Sequence, residues 1–296
     1  MGMSARVGKT GSPAVRDLLR EAVERLSSAG VDSPTLDAEL MLARAVDTSR
    51  TVLLTHPEAV PDDGPLAQFA EFVRLRAKRM PLAYILGRKE FHGIDFEVAP
   101  AVLIPRPETE ILVDAALEVL RETSGPTLAD LGVGSGAIAV SLAVCLPDAH
   151  VFGTESSSAA LELAGRNVER HGVGDRVELR LGDLFDPLRG LSFHAIVSNP
   201  PYIPTAEIPT LQPEIARYEP RGALDGGPDG LDYYRRIVPD ALAFLRPSGV
   251  LLVEVGAGQS PEVCSLFRGQ GYTGVQAVRD YSGIERVVIG RKPATC

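Results

Sequence analysis

Asp130-Leu131-Gly132-Val133-Gly134-Ser135-Gly136 stands between an extended apolar run, Thr127 to Leu131, and a second run, Ala137 to Leu146, of helical length. A strand that ends in three closely spaced glycines and passes straight into a helix leaves backbone N–H groups bare at the helix N-terminus, where a ligand can approach closely. The spacing is Gly-x-Gly-x-Gly, not the Gly-x-Gly-x-x-Gly of a dinucleotide site. The loop is therefore read as packing against an amino-acid-like ligand instead of cradling a pyrophosphate.

Outward from this loop, strand-like and helix-like stretches alternate. His150 to Thr154, Val177 to Leu181, Ala195 to Ser198 and Val250 to Val255 read as strands; Ser158 to His171, about Leu231 to Leu245, and Pro261 to Gln270 read as helices. Such alternation predicts parallel β/α units. Two last strand-like runs, Thr273 to Val278 and Arg286 to Ile289, joined through Tyr281-Ser282-Gly283, predict an antiparallel edge hairpin and hence a mixed sheet.

Upstream, Val15, Leu18, Leu19, Ala22, Val23 and Leu26 recur at helical spacing until Gly30 stops them. Asp32 and Ser33 before Pro34 predict a capped second helix, and a third runs from about Pro65 until Pro81 breaks it. Phe91 to Val98 alternates around Gly93 like a short hairpin. The predicted organisation is a helical domain over 1–85, a β-hairpin connector over 86–104, and an α/β domain over 105–296.

The 296 residues are 45% hydrophobic and 23% charged, which suits a globular chain. Thirty Lys and Arg against 39 Asp and Glu give a net charge of −9; residues 1–104 hold 13 basic and 14 acidic side chains, so the acidity belongs to the remainder. That balance argues against stable nucleic-acid binding, which draws on Lys and Arg releasing counterions. Cys145, Cys264 and Cys296 are far apart, so neither a disulfide framework nor a metal site is expected, and a reducing cytoplasm fits. The longest apolar run, Ala137 to Leu146, is well short of the ~20 residues that span a bilayer, and no membrane segment is expected. Met1 to Ser12 reads as a frayed tail in which Gly8-Lys9-Thr10 imitates the end of a phosphate loop by coincidence.

Nineteen residues beyond Gly136, Glu155 ends the second strand, where a carboxylate can accept from both ribose hydroxyls. Asp183, just after the third strand, is placed to accept from an adenine amino group, and Leu184 to offer apolar surface beside the ring. With Gly132, Val133, Gly134, Ser135 and Gly136, this set resembles the S-adenosylmethionine site of class I methyltransferases and implies their Rossmann-like sheet.

The fourth strand runs into Asn199-Pro200-Pro201-Tyr202. Two prolines fix φ and remove N–H donors, so the turn presents carbonyl oxygens rigidly, and Asn199 adds a side-chain oxygen. Two such acceptors would hold both hydrogens of one planar NH₂ group and turn its nitrogen toward a methyl donor, with Tyr202 stacked on the plane. Positive charge builds on that nitrogen during attack, so the acceptors favour the transition state over the ground state. His56, His92, His150, His171 and His194 are scattered and offer no nucleophile. On these residues alone, the acceptor remains an amide, another amine, or a nucleic-acid base.

A wider resemblance narrows the choice. Arg106-Pro107-Glu108-Thr109-Glu110, Asp130 to Ala139, Val197 to Ile203, Tyr218-Glu219-Pro220, Ala223-Leu224-Asp225-Gly226-Gly227, Asp229-Gly230-Leu231-Asp232, and Asp280-Tyr281 with Glu285-Arg286 occur in the order of the peptide chain release factor glutamine methyltransferases, the PrmC/HemK family. The resemblance covers residues 15–291. It implies methylation of the side-chain nitrogen (N5) of the glutamine in the Gly-Gly-Gln motif of class I release factors during translation termination. It implies further that Asn199 and Pro200 hold the amide, that Pro201 and Tyr202 flank it, and that the glycine loop, Glu155 and Asn199 contact the cofactor. Val133 stands where Thr is common, and Glu155 to Ser158 lacks the usual Asp and Pro. The basic cluster Arg74, Arg76, Lys78 and Arg79 is read either as a solvated helix face or as a dock for an acidic partner. The proline-rich stretch from Ile203 to Pro228 is read as a pocket wall.

Overall fold

The computed structural model describes residues 13–294; Met1 to Ser12, with its loop-like Gly8-Lys9-Thr10, and Cys296 lie outside them. By internal contacts the chain forms two compact units, one running to Gly87 and including Pro213–Tyr218, the other comprising Arg88–Gln212 and Glu219 onward.

The first unit holds α1 (Val15–Ser28), α2 (Pro34–Ala45), α3 (Arg50–Thr55), α4 (Asp63–Ala77) and α5 (Leu82–Leu86). Leu26, Met41, Leu42, Leu53, Phe69 and Val73 form its centre. Ser33 sits at the N-cap of α2 without a side-chain cap bond, so the proline in the first turn, not a cap, marks that start. Helices α3 and α5 are too short for a periodic signal; Ser49 caps α3 by accepting from Val52 N at 3.2 Å.

The basic cluster is not a uniform solvated face. Arg76 is buried and bonds Asp37 at 2.7 Å and Glu214 at 2.8 Å, and Arg79 bonds Glu214 at 2.6 and 2.7 Å. Burial alone would raise the Glu214 carboxyl, but hydrogen bonds from Arg79 and Arg76 outweigh it and hold the group at about 2. Tyr218 donates to the Lys78 carbonyl at 2.7 Å. The charge of Arg76 and Arg79 is thus spent inside the unit; Arg74 pairs with Glu71 on the surface.

The second unit opens with the hairpin β1 (Arg88–Phe91) and β2 (Ile94–Glu97), then α6 (Glu110–Leu120), β3 (Thr127–Leu131), α7 (Ala137–Cys145), β4 (His150–Glu155), α8 (Ser158–Arg170), β5 (Val177–Leu181) and β6 (Phe193–Ser198). After α9 (Pro213–Tyr218) follow α10 (Asp232–Phe244), β7 (Leu245–Glu254), α11 (Ser260–Gly269), β8 (Thr273–Arg279) and β9 (Glu285–Arg291). The sheet order is β5-β4-β3-β6-β7-β9-β8, with β8 and β9 antiparallel at one edge. The mixed sheet and its edge hairpin agree with the sequence reading.

Central strands β3, β6 and the second half of β7 are buried on both faces, which is why they read as unbroken apolar runs. Helices α6, α7 and α8 cover one face together with Phe91 and Phe96, and α10 and α11 cover the other. Leu131 lies opposite Thr154 on one side and Ser198 on the other, and Ser198 opposite Val253, so four parallel strands end level. Strand order reverses between β3 and β6. In open α/β sheets the crevice at that switch point is where ligands bind.

Helix α6 was not foreseen from sequence, and β7 begins five residues earlier than Val250. The stretch from Ile203 to Pro228 is not structureless. It contains α9 and 3₁₀ turns at Ile208–Thr210 and Arg221–Ala223, and its ends are joined by Ile203 N to Leu224 O (3.0 Å), Gly226 N to Ile203 O (2.9 Å) and Thr205 N to Gly227 O (2.9 Å). Among the described residues no helix is long and apolar enough to cross a membrane.

Candidate active site

The glycine loop leaves β3 with Gly132 N and Val133 N both donating to the Thr154 carbonyl, at 2.8 and 2.9 Å, which anchors it to the end of β4. Gly132, Gly134 and Gly136 have φ of +76°, +54° and +85°, a region that disfavours any residue with a Cβ. A Cβ on Gly132 would meet nothing within 4 Å, whereas one on Gly136 would touch Ala164 at 3.5 Å. Gly132 therefore keeps backbone bare toward open space, and Gly136 lets α7 approach α8. Val133 and Ser135 are buried, whereas Gly132 between them and the sheet is exposed. Val133 packs over Gly153, an apolar role that accounts for the absence of a hydroxyl there.

Glu155 already accepts from Ser157 N at 2.9 Å and Ser156 Oγ at 3.4 Å on Oε1 and from Gly134 N at 3.0 Å on Oε2, which leaves a lone pair on Oε2. Beneath the loop, Asp130 is fully buried; Oδ2 accepts from Ala139 N at 3.1 Å while Oδ1 has no partner. Burial pushes this carboxyl up to about 7, against the Ala139 bond and with help from Glu155. Bare glycine backbone, a free carboxylate lone pair and an orphaned acceptor suit a ligand that brings donors and positive charge, as S-adenosylmethionine does. Asp183 is half exposed and paired with Arg236, an arrangement sequence spacing does not reveal. Leu184 is held at φ +44°, but the adjacent Phe185 is buried and stacks on Phe244, a core role.

On the neighbouring strand, Ser198 Oγ donates to Leu131 O at 2.8 Å, tying the end of β6 to the root of the glycine loop. Asn199 follows, partly exposed; its Nδ2 donates to Thr109 Oγ1 at 3.1 Å, so its oxygen is turned the other way. Pro200 is buried and Pro201 and Tyr202 are half-buried. Gln259 Nε2 donates to Tyr202 O at 2.9 Å, and a Cβ on Gly226 would lie 2.8 Å from Pro201 O and Tyr202 Cα. Gly226, and Gly230 likewise, are small because the Asn-Pro-Pro-Tyr backbone lies against them.

Two residues near the turn were missed from sequence as site members. Thr109, 4% exposed, is the N-cap residue just before α6, and Glu254, 1% exposed, ends β7. Burial pushes the Glu254 carboxyl up to about 7, with Thr109, Arg286 and Tyr202 opposing and Glu108 reinforcing. The Tyr202 hydroxyl lies 3.5 Å from Glu254 Oε1, a weak contact; burial foremost, then Glu254, raises the Tyr202 phenol, which stays neutral. A signal was present: a carboxylate closing an apolar strand lies on the same sheet edge as Glu155 and Asn199. Arg106 bonds the buried Glu219 at 2.6 Å, so two of the quoted motifs hold each other. The histidines serve elsewhere: His194 accepts from Thr127 N at 2.9 Å, His171 bonds Asp95 O at 2.9 Å, and His92 bonds Asp114 at 3.0 Å.

Fold and site together define a class I methyltransferase, a protein that uses S-adenosylmethionine. Residues 17–87 match the PrmC N-terminal domain family and residues 109–213 the methyltransferase small domain family. The chain belongs to the release factor glutamine methyltransferase family: it is 49% identical to the Geobacter sulfurreducens member over 90% of this chain and 92% of that one, and 47% identical to the Moorella thermoacetica member over 92% and 96%. Among solved structures, the Thermus thermophilus 16S rRNA N2 G1207 methyltransferase in complex with AdoMet and guanosine shares the fold, with a TM-score of 0.51 and 21% identity over 69% of this chain and 49% of that one.

Proposed function

We propose that the protein transfers a methyl group from S-adenosylmethionine to the side-chain amide nitrogen (N5) of the glutamine in the Gly-Gly-Gln motif of class I peptide chain release factors. The observation that carries this reading is the turn of the Asn199 oxygen away from Thr109, beside the glycine loop, in a chain so similar to named release factor glutamine methyltransferases. The bound cofactor supplies an electrophilic sulfonium methyl.

The protein's own residues do the rest. Gly132, Val133, Gly134, Ser135 and Gly136 hold the cofactor through backbone, Glu155 accepts from its ribose, and Leu184 and Asp183 border its base. Asn199 Oδ1 and the Pro200 carbonyl each take one hydrogen of the glutamine NH₂, which aligns the nitrogen lone pair with the methyl carbon. Pro201 and the neutral Tyr202 ring keep water from the amide plane. An amide nitrogen is a weak nucleophile because its lone pair is delocalised; two fixed acceptors strengthen their hold as charge grows on it, and alignment removes much of the entropic barrier. The methylated nitrogen then sheds one of its two hydrogens as a proton. A substrate in translation places the enzyme in the cytoplasm, and the acidic catalytic unit favours a protein over stable nucleic-acid binding.

The test is to incubate the protein with methyl-labelled S-adenosylmethionine, a release factor, its Gln-to-Ala variant, and ribosomal RNA, then map the label by mass spectrometry. Label confined to the Gly-Gly-Gln glutamine is expected. Equal label on the variant factor, or label on RNA, overturns the reading.

A further inference from the structure

Arg106 and Glu219 meet through a single hydrogen bond, from Arg106 Nη2 to Glu219 Oε1 at 2.6 Å. Glu219 Oε2 is buried and, among the described residues, has no hydrogen-bond partner. A guanidinium carries five N–H donors in a fork that matches both oxygens of a carboxylate. A pair built only to tie two segments together would close that fork and satisfy Oε2. Here one N–H holds the carboxylate, and the other donors of Arg106 meet no acceptor among the described residues. The Arg106 side chain is 29% exposed, so those donors open outward from a buried anchor.

The anchor stands beside the acceptor turn. Thr109 N donates to the Arg106 carbonyl at 3.0 Å, within the Pro107–Thr109 turn, and Thr109 Oγ1 receives Asn199 Nδ2 at 3.1 Å. Two measured hydrogen bonds thus connect the Arg106 backbone to the residue assigned to the glutamine amide. Glu219 belongs to the proline-rich stretch, which is bonded back at Leu224 O to Ile203 N, next to Tyr202. Burial foremost, then Glu254, raises the Tyr202 phenol, and Arg286 and Arg106 oppose them, so the Arg106 charge acts at the turn itself.

The chemistry of the substrate segment decides what such a group can hold. Gly-Gly-Gln has no charged side chain; apart from the glutamine amide, its acceptors are main-chain carbonyls. Glu219 offsets the Arg106 charge, so the guanidinium can enter a contact that excludes water without stranding an unpaired charge. We propose that Arg106 is a further substrate-binding residue: it donates to a main-chain carbonyl of the glycines that precede the methylated glutamine, while Glu219 fixes its orientation. Glycine, lacking a Cβ, leaves that carbonyl open to close approach. The proposal rests on the reading above that the Gly-Gly-Gln glutamine is the substrate.

The experiment measures KM for the release factor, kcat and cofactor affinity for the wild type, Arg106→Lys and Glu219→Gln. Lysine can supply the one N–H that Glu219 Oε1 receives, but it lacks the second edge that would reach a carbonyl. Glutamine at 219 still offers an oxygen to Arg106 and leaves the guanidinium in place. KM should rise about tenfold in Arg106→Lys, the scale of one hydrogen bond from a charged donor, and stay within about twofold in Glu219→Gln. Both kcat and cofactor affinity should stay within about threefold, because the carbonyl contact is made in ground state and transition state alike. A tie that is only structural fails at either end alike. Equal KM values for the two variants, raised or unchanged, therefore overturn the inference while leaving the glutamine reading intact. The tenfold ratio should persist at high salt, since the acceptor is neutral; a ratio that vanishes with added salt would mean that Arg106 meets an acidic side chain, and overturns the carbonyl assignment. Absence of label on the glutamine with the wild-type protein overturns both readings.

Discussion

Arg106 and Glu219 bond at 2.6 Å, with the Glu219 side chain 1% exposed and the Arg106 side chain 29%. The pair fastens the segment before α6 to the end of the proline-rich stretch, within the catalytic unit. Burial pushes the Glu219 carboxyl up and Arg106 pulls it back, so the charge on Glu219 depends on its partner. Arg106→Ala should lower stability by about 3 kcal/mol, the usual cost of stranding one member of a buried pair. Adding Glu219→Gln should restore part of that loss, as urea unfolding of the single and double variants would show. Equal stability of all three would refute the pairing as a structural tie.

Asn199→Ala should reduce kcat by about 10²- to 10³-fold, the scale for removing one preorganised group that meets developing charge. Cofactor affinity by calorimetry should change little. Near-normal turnover would sink the amide clamp.

Gly226→Ala should damage turnover without touching the cofactor. A Cβ there would lie 2.8 Å from Pro201 O and Tyr202 Cα and 2.9 Å from Gly230 Cα, all backbone that cannot swing aside. A destabilisation of about 1 to 3 kcal/mol is expected from overpacking, together with a displaced Asn-Pro-Pro-Tyr turn. Kinetics beside a melting curve would decide; unchanged kcat would mean that the turn is less rigid than its packing implies.

Two buried carboxyls give stability an unusual slope with pH. Asp130 and Glu254 are pushed to about 7 by burial, against about 4 in an unfolded chain. Between those values the folded state binds more protons, so their contribution is full below about pH 4 and is lost as pH rises through 7. Asp130→Asn, which can still accept from Ala139 N, should flatten the fall. Urea midpoints between pH 5 and 8 would test this, and parallel curves for wild type and variant would contradict it.

Glu214 behaves oppositely. Held at about 2 by Arg79 and Arg76 against the pull of burial, it lends stability above about pH 4 that is lost as pH falls toward 2. Glu214→Gln should cost the helical unit about 3 kcal/mol near neutrality, visible as an earlier melting step. No shift in melting would show that Asp37 alone satisfies Arg76.

Much of this was legible in the sequence, for physical reasons that also explain the gaps. Parallel strands buried on both faces announce themselves as apolar runs, and glycines with positive φ mark the ligand loop. Helix α6 starts without a side-chain cap bond, directly after the Pro107–Thr109 turn, although Ile111, Leu112, Val113, Ala116 and Leu120 carry its buried face. Arg76 was readable too: with Phe69 and Val73 it falls at helical spacing on the buried side of α4. Thr109 is a single polar residue, and its contact with Asn199, 90 positions away, arises only in the folded chain. The pairing of Asp183 with Arg236 joins residues 53 apart and has no local signature.

The short helix Pro213–Tyr218 belongs by contacts with α1 to α5, although the chain on both sides of it belongs to the catalytic unit. The two units are therefore interleaved along the polypeptide and cannot be exchanged as cassettes. A chimera joined at Gly87 would inherit Arg76 and Arg79 from one parent and Glu214 from the other. Any recombination between relatives, natural or designed, must carry both segments together or leave Arg76 to Asp37 alone and strip Arg79 of the carboxylate it grips with two hydrogen bonds.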